Sequence, residues 1–157
     1  MPKVRSHLWF ADRAEEAVRF YTGLIPGSAM DETAVIPSDT PSGPAGSVYQ
    51  IDFTLGGQAF TALNAGPWEP FNDAFSIMVE CDDQAEVDRL WDALTEGGRA
   101  VQCGWLKDRY GLSWQIIPRR FIEMMQDPDK AKVKRAMEAM LKMVKFDIAA
   151  LEVAFNG

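Results

Sequence analysis

Histidine and cysteine, the side chains most often used for proton transfer near neutral pH, nucleophilic attack and transition-metal binding, are scarce in this chain. The 157 residues include one histidine, His7, and two cysteines, Cys81 and Cys103. Serine, histidine and aspartate are all present, yet no G-x-S-x-G segment raises a serine on a strand-to-helix turn, so nucleophilic hydrolysis has no support. Cys103 precedes Gly104 and Trp105, with Lys107 close by. A neighbouring ammonium group could lower its pKa and make it a reactive thiol, although burial as a structural cysteine is the commoner fate of the residue type. Both cysteines are expected to be thiols, because a chain of this size with an adequate core needs no disulfide. No G-x-G occurs, and the richest glycine stretch, Gly43-Pro44-Ala45-Gly46, lies ahead of a strand in a proline-rich loop. A turn of the kind that cradles a nucleotide or S-adenosylmethionine is therefore missing.

Bulk composition narrows the class of partner. Hydrophobic residues make up 47% and charged residues 25% of the chain, ordinary for a packed globular protein. A net charge of -7 repels phosphate backbones and anionic lipid, so neither nucleic acid nor a membrane surface is an expected partner. No apolar run reaches the ~20 residues that cross a bilayer, and Met1 to Arg5 lacks the apolar stretch of a secretory signal, which predicts a cytoplasmic protein.

The elements that would position a site come from periodicity. Val4 to Phe10 is a short apolar strand. Asp12 and Glu15 have the spacing of a capping box, and Ala14, Ala17, Val18 and Tyr21 then recur as one helical stripe until Pro26-Gly27 ends it. Residues 37–46 are too rich in turn formers for a regular element and predict a mobile loop at the mouth of something. Val48 to Leu55 alternates as a half-buried strand, Gly56-Gly57 turns it, and Gln58 to Leu63 returns.

The pattern then repeats. Ala74 to Cys81 predicts a strand, Asp83 with Glu86 a second capping box, and Val87, Leu90, Trp91 and Leu94 a second stripe closed by Gly97-Gly98. Ala100 to Cys103 and Leu112 to Ile117 predict further strands, with residues 104–111 as a connection. Beyond Pro118, Asp127-Pro128 opens a predicted long helix with Val133, Met137, Met140, Leu141 and Val144 on one docking face, and Asp147 caps a last short helix. A single α+β domain spanning 1–157 follows, with unit one at about 3–66, unit two at about 72–118 and a helical tail at about 119–157.

Tandem βαβββ units of this size resemble the vicinal oxygen chelate superfamily, which includes glyoxalase I, extradiol dioxygenases, and the fosfomycin and bleomycin resistance proteins. Within it, four stretches resemble the PhnB-like branch often labelled a 3-demethylubiquinone-9 3-methyltransferase domain. They are His7-Leu8-Trp9-Phe10 running into Ala14-Glu15-Glu16-Ala17 and Phe20-Tyr21; Phe60 through Pro67; Asp88-Arg89-Leu90-Trp91 with Leu94 through Gly98; and Cys103 through Asp108 with Gly111 through Gln115. The closing Asp147 through Glu152 also fits. The resemblance implies curved sheets that meet in a cleft, a small-molecule ligand and a C2 homodimer.

Catalytic members of the superfamily hold a divalent metal with His and Glu from the first and last strands of each unit. At the corresponding places this chain offers His7, or Ser6 if the register slips by one; then Thr61 or Ala62, neither a useful ligand; then Ser76 with Glu80 farther along; and Gln115 where a glutamate is expected. His7, Glu80 and Gln115 make a set too neutral and sparse for a tight site, so no cofactor is expected. A metal-dependent lyase, isomerase or dioxygenase using that reduced set is the alternative, and a methyltransferase-like protein is a reading by family label only. The expected ligand contacts are His7, Trp9, Gln50, Asp52, Asn64, Trp68, Ser76, Cys103, Trp105, Trp114 and Gln115, aromatic walls with a few orienting polar groups. Trp9 and Trp114 could equally pack in the core.

Overall fold

The computed structural model describes residues 2–157 and divides into two compact units, Met1–Phe71 and Asn72–Gly157. Each unit is a four-stranded mixed sheet with one long helix on it, so the architecture is the expected tandem βαβββ α+β fold followed by C-terminal helices.

The first unit runs β1 (Ser6–Phe10), α1 (Ala14–Leu24), β2 (Ala29–Val35), β3 (Val48–Leu55) and β4 (Gln58–Asn64), with spatial order β1-β4-β3-β2. β1 lies parallel to β4, and the other pairs are antiparallel. The stripe Ala14, Ala17, Val18 and Tyr21 is buried on the sheet as its spacing requires. Beneath it lie Leu8, Phe10, Ile51, Phe53 and Phe60, all buried, with the Phe10 and Tyr21 rings 6.5 Å apart. Each such large apolar side chain contributes roughly 1.5–3 kcal/mol by leaving water.

Two local expectations fail here. The capping box at Asp12 and Glu15 does not form: Arg13 is the N-cap residue and makes no side-chain cap, and Glu15 pairs instead with Arg19 at 2.7 Å. The cap is supplied from fifty residues away, where Asn64 Oδ1 accepts from the Ala14 amide at 2.8 Å and Asn64 Nδ2 donates to Val48 O at 3.0 Å. Phe10 and Asn64 are register partners, so the end of β4 lies beside the turn into α1. The strand β2 was not expected because it is an edge strand, largely exposed, whose Asp31-Glu32-Thr33 core has no apolar alternation.

The second unit repeats the plan with β5 (Ser76–Cys81), α2 (Gln84–Thr95), β6 (Arg99–Ala100), β7 (Trp105–Lys107) and β8 (Ser113–Pro118), in the order β5-β8-β7-β6. Here the predicted cap is present. Asp83 Oδ1 accepts from the Glu86 amide at 2.8 Å, and Glu86 reaches back to the Asp82 amide at 2.7 Å, one residue before the usual place. Val87, Leu90, Trp91 and Leu94 are buried as expected.

The strand expected over Ala100 to Cys103 stops at Ala100, and β7 forms in what was expected to be connection. The cause is at Cys103 and Gly104, whose φ of 56° and 81° turn the chain through the left-handed region and break the ladder. The tail also differs. It folds as α3 (Arg119–Met125), α4 (Lys130–Met140) and α5 (Ile148–Asn156), with Asp129 rather than Asp127 capping α4 and Asp147 capping α5 as expected. α4 ends before Leu141, its buried residue is Ala136, and Met137, Leu141 and Val144 stay exposed. The tail holds to its unit instead through the segment after α4. Met143 O and Val144 O accept from the Cys103 and Gly104 amides at 2.9 and 2.8 Å, and Phe146 packs on Gly104, where an added Cβ would meet the ring at 2.5 Å. Gln84 completes the attachment by donating to Phe146 O and accepting from the Ile148 amide.

Asn64→Ala removes the α1 cap and the side-chain bond to Val48 O, and is expected to cost about 1–2 kcal/mol of stability, whereas Asp12→Ala stays within about 0.5 kcal/mol. Urea unfolding of both variants measures this; equal losses would return the cap to Asp12.

Candidate functional site

In each unit one sheet face is covered by its helix, and register decides which side chains occupy the other. β1 pairs His7 with Thr61 and Trp9 with Leu63, and β3 brings Asp52 opposite Thr61 and Gln50 opposite Leu63. Paired residues share a face. His7, Thr61 and Asp52 therefore form one row, and Trp9, Leu63 and Gln50 the next, on the side opposite Leu8 and Phe10. Ser6 falls on the α1 side, where it receives the Gln58 amide at 3.3 Å.

Across the first row runs a chain of hydrogen bonds. Arg5 Nε donates to Thr61 Oγ1 at 2.8 Å, and the Thr61 hydroxyl donates to Asp52 Oδ1 at 2.6 Å. Gln50 Nε2 reaches the same Asp52 oxygen at 3.5 Å. Thr61 is only 1% exposed, so its hydroxyl lies buried between a guanidinium and a carboxylate and fixes both. At the neighbouring end of the face, Trp9 Nε1 donates to Gly66 O at 2.8 Å, and the Trp68 ring lies so close over Gly66 that an added Cβ would come within 1.9 Å of it. Gly66 has φ of 91° and is the residue that lets both indoles meet there. Trp68 remains 61% exposed.

Arg5 and Thr61 were not among the expected contacts. Thr61 was legible, because counting back through the two-residue Gly56-Gly57 hairpin places it opposite Asp52. Arg5 lies just before β1 and carried no such signal. Asn64 is placed away from this face, with both ends of its amide engaged at the start of α1 and on β3.

The uncovered face of the second sheet carries Ser76 and Ser113, then Met78, Gln115 and Trp105, then Glu80 and Ile117. Gln115 Nε2 donates to Ser76 Oγ at 2.9 Å. Asp73 accepts from Ser113 at 3.1 Å and pairs with Lys107 at 2.9 Å; these bonds hold its carboxyl below the usual range. Glu80 is bound by Arg119 at 2.7 Å. Trp114 is fully buried on the α2 side, its indole N–H given to the buried Asp108 at 2.9 Å. Cys103 occupies the turn before β7, half-buried, and Cys81 is sealed under α2, where burial pushes its thiol up to about 12.

Two βαβββ units, each with its first and last strands side by side and one sheet face left uncovered, define a protein of the vicinal oxygen chelate superfamily. The chain belongs to the 3-demethylubiquinone-9 3-methyltransferase family, whose model matches residues 2–117. It is similar to a PhnB protein of Bacillus cereus, at 31% identity over 74% of this chain and 99% of that one, with a TM-score of 0.68. A Pseudomonas aeruginosa protein shares the fold at 22% identity, covering 75% of this chain and 98% of that one, with a TM-score of 0.62. The fosfomycin resistance protein FosX of Listeria monocytogenes, complexed with Mn(II) and sulfate, does so at 12% identity over 80% of this chain and 98% of that one, with a TM-score of 0.50. No curated protein matches.

The superfamily's metal can be tested against these donors. Among the described residues no group of three or more His, Cys, Asp or Glu side chains could hold an ion. His7 shares its row with a hydroxyl and a carboxylate already engaged, Gln115 is a neutral amide directed to Ser76, and Glu80 is neutralised by Arg119. The donor set does not fit a divalent metal centre. No helix among the described residues is long and apolar enough to cross a membrane.

At pH 8 the Cys81 thiol is protonated as well as buried. Ellman's reagent is therefore expected to modify at most Cys103 in the native protein and to reach Cys81 only after denaturation; rapid reaction of two thiols per native chain would contradict this placement.

Proposed function

We propose that this PhnB-like protein binds a small metabolite on the uncovered face of its first sheet, using hydrogen bonds and aromatic contact in place of metal coordination. The observation that carries the reading is the Arg5–Thr61–Asp52 chain, in which a buried hydroxyl holds a guanidinium and a carboxylate on an otherwise open face. Such fixed polar groups beside apolar side chains are how small-molecule sites orient a ligand. Trp9 and Leu63 would receive the ligand's apolar part, while Asp52 and His7 would meet its hydroxyl, amide or amino groups.

The family's name speaks of methyl transfer, but neither a glycine-rich nucleotide turn nor the acidic ribose partner that should follow it supports S-adenosylmethionine here. The second sheet's face, with Gln115, Ser76 and Lys107, is the other candidate surface for the same ligand class.

A thermal-shift screen of a metabolite library on chelator-treated protein tests the proposal. A stabilising compound is expected that acts equally with and without chelator and binds about tenfold or more weakly to Thr61→Val and Asp52→Ala, in line with loss of charge-assisted hydrogen bonds. A compound that binds only when Mn(II) or Zn(II) is restored, and not to His7→Ala, would replace this reading with metal-dependent lyase, isomerase or dioxygenase chemistry. Saturable binding of S-adenosylmethionine would restore methyl transfer.

A further inference from the structure

The connection between β2 and β3 borders an open cleft of about 300 Å³ lined by Ile36, Pro37, Thr40, Ser42 and Tyr49. It is separate from the face just described: Tyr49 has the strand parity of Ile51 and Phe53, opposite to Gln50 and Asp52. The connection was expected to be mobile because of its prolines and glycines, but its ends and its interior are tied. Ile36 and Ser47 are joined by the bond from the Ile36 amide to Ser47 O at 2.9 Å, and the Gly46 amide returns to Ile36 O at 2.8 Å. Thr40 and Gly43 exchange two backbone bonds, the Ala45 amide donates to Asp39 Oδ1 at 2.8 Å, and the Ser47 hydroxyl donates to Pro44 O at 2.6 Å. Pro37, Pro41 and Pro44 further reduce the freedom that ordering must overcome. A loop tied in this way holds the shape of the cleft without a ligand, while Pro37, Thr40 and Tyr49 stay exposed on its open side.

Its lining has a definite chemistry. Ile36, 4% exposed, and Pro37 are apolar, and the phenol ring of Tyr49 supplies an aromatic wall. Thr40 Oγ1 already accepts from the Ser42 amide at 3.2 Å. The Ser42 and Tyr49 hydroxyls make no hydrogen bond to other described residues, so two of the cleft's three hydroxyls are open to a guest. No lining residue is charged, and the loop's one carboxylate, Asp39, is directed to Ala45. A charged guest would find no counter-ion on this lining, whereas an uncharged one needs none. The volume is at the small end of ligand sites.

We infer that the β2–β3 loop is a second binding site, for a small uncharged molecule with one ring and one hydrogen-bonding substituent, of the class of substituted phenols. The site receives the ring between Pro37 and Tyr49 and the substituent at the Ser42 and Tyr49 hydroxyls. It is independent of the ligand proposed for the first sheet's open face.

The experiment is titration of the full-length ¹⁵N-labelled protein with 4-methylphenol, and separately with 4-methylbenzoate as its charged counterpart. Saturable amide shifts are expected within residues 36–49 for the phenol. Binding should weaken about three- to tenfold in each of Ser42→Ala and Tyr49→Phe, the loss of one hydrogen bond, and about tenfold or more for the benzoate. Both substitutions are small enough to leave the β3 strand intact, which the unchanged remainder of the spectrum verifies. Shifts centred on residues 5–9 and 61 would assign the phenol to the open face and overturn the inference. Absence of saturable shifts up to the solubility limit, or equal binding of phenol and benzoate, would overturn it too.

Discussion

The parallel pairing of the first strand of each unit with its last is the constraint from which the rest follows. Two parallel strands cannot be joined by a tight turn and need a long crossover, and here the intervening helix lies on one face of the sheet. The helix stripe then buries that face and leaves the other uncovered. Because β1 and β4 are side by side, residues more than fifty positions apart in sequence, such as His7 and Thr61, become neighbours. On the first unit's open face that pairing brings the Arg5 guanidinium to Thr61, whose bond to Asp52 crosses the β3–β4 hairpin. The cap of α1 depends on the same pairing, since only the end of β4 brings an asparagine amide to the helix's free N–H.

The duplicated plan was legible because its signals are local and periodic. The stripes at Ala14, Ala17, Val18, Tyr21 and at Val87, Leu90, Trp91, Leu94 are buried as their spacing demands, and the Val48 to Leu55 alternation with its Gly56-Gly57 turn fixed the β3–β4 register. What escaped was set by partners distant in the chain. Asp12 and Asp83 look alike in sequence, yet at the first helix the Ala14 amide donates to Asn64, and at the second Asp83 itself is the cap. β2 is polar at an edge, where no second layer imposes alternation, and β7 is too short for periodicity to register. The apolar run Met137, Leu141, Val144 has helical spacing, but the helix ends at Met140 and the run stays in solvent.

For the candidate site, residue types on the strands were readable and their companions were not. Asp52 and Gln50 stood out as polar positions in an alternating strand, and the hairpin count carries them to Thr61. Arg5 emerges only in three dimensions, because nothing before β1 signals that its side chain turns toward a buried threonine. Trp114 shows the converse: a strand tryptophan beside the expected ligand residue Gln115 is turned inward by parity and satisfied by the buried Asp108. Adjacent positions on one strand thus have opposite duties.

The attachment of the tail also restricts what the preceding residues can be. Phe146 fills the space that a side chain at position 104 would need, the amides of Cys103 and Gly104 are completed by Met143 and Val144, and Gln84 and Asp88 hold Phe146, Ile148 and Lys145. These bonds bind residues inside the family-matched region to residues beyond it. In a shorter chain of the same fold, Gly104 would keep its left-handed φ and the nearby Ile116 carbonyl but lose the Phe146 ring above it, and Gln84 and Asp88 would keep each other but lose Phe146, Ile148 and Lys145. The extension is thereby recorded in the composition of the core to which it attaches, and a graft of this tail onto a shorter relative would have to carry those three positions with it.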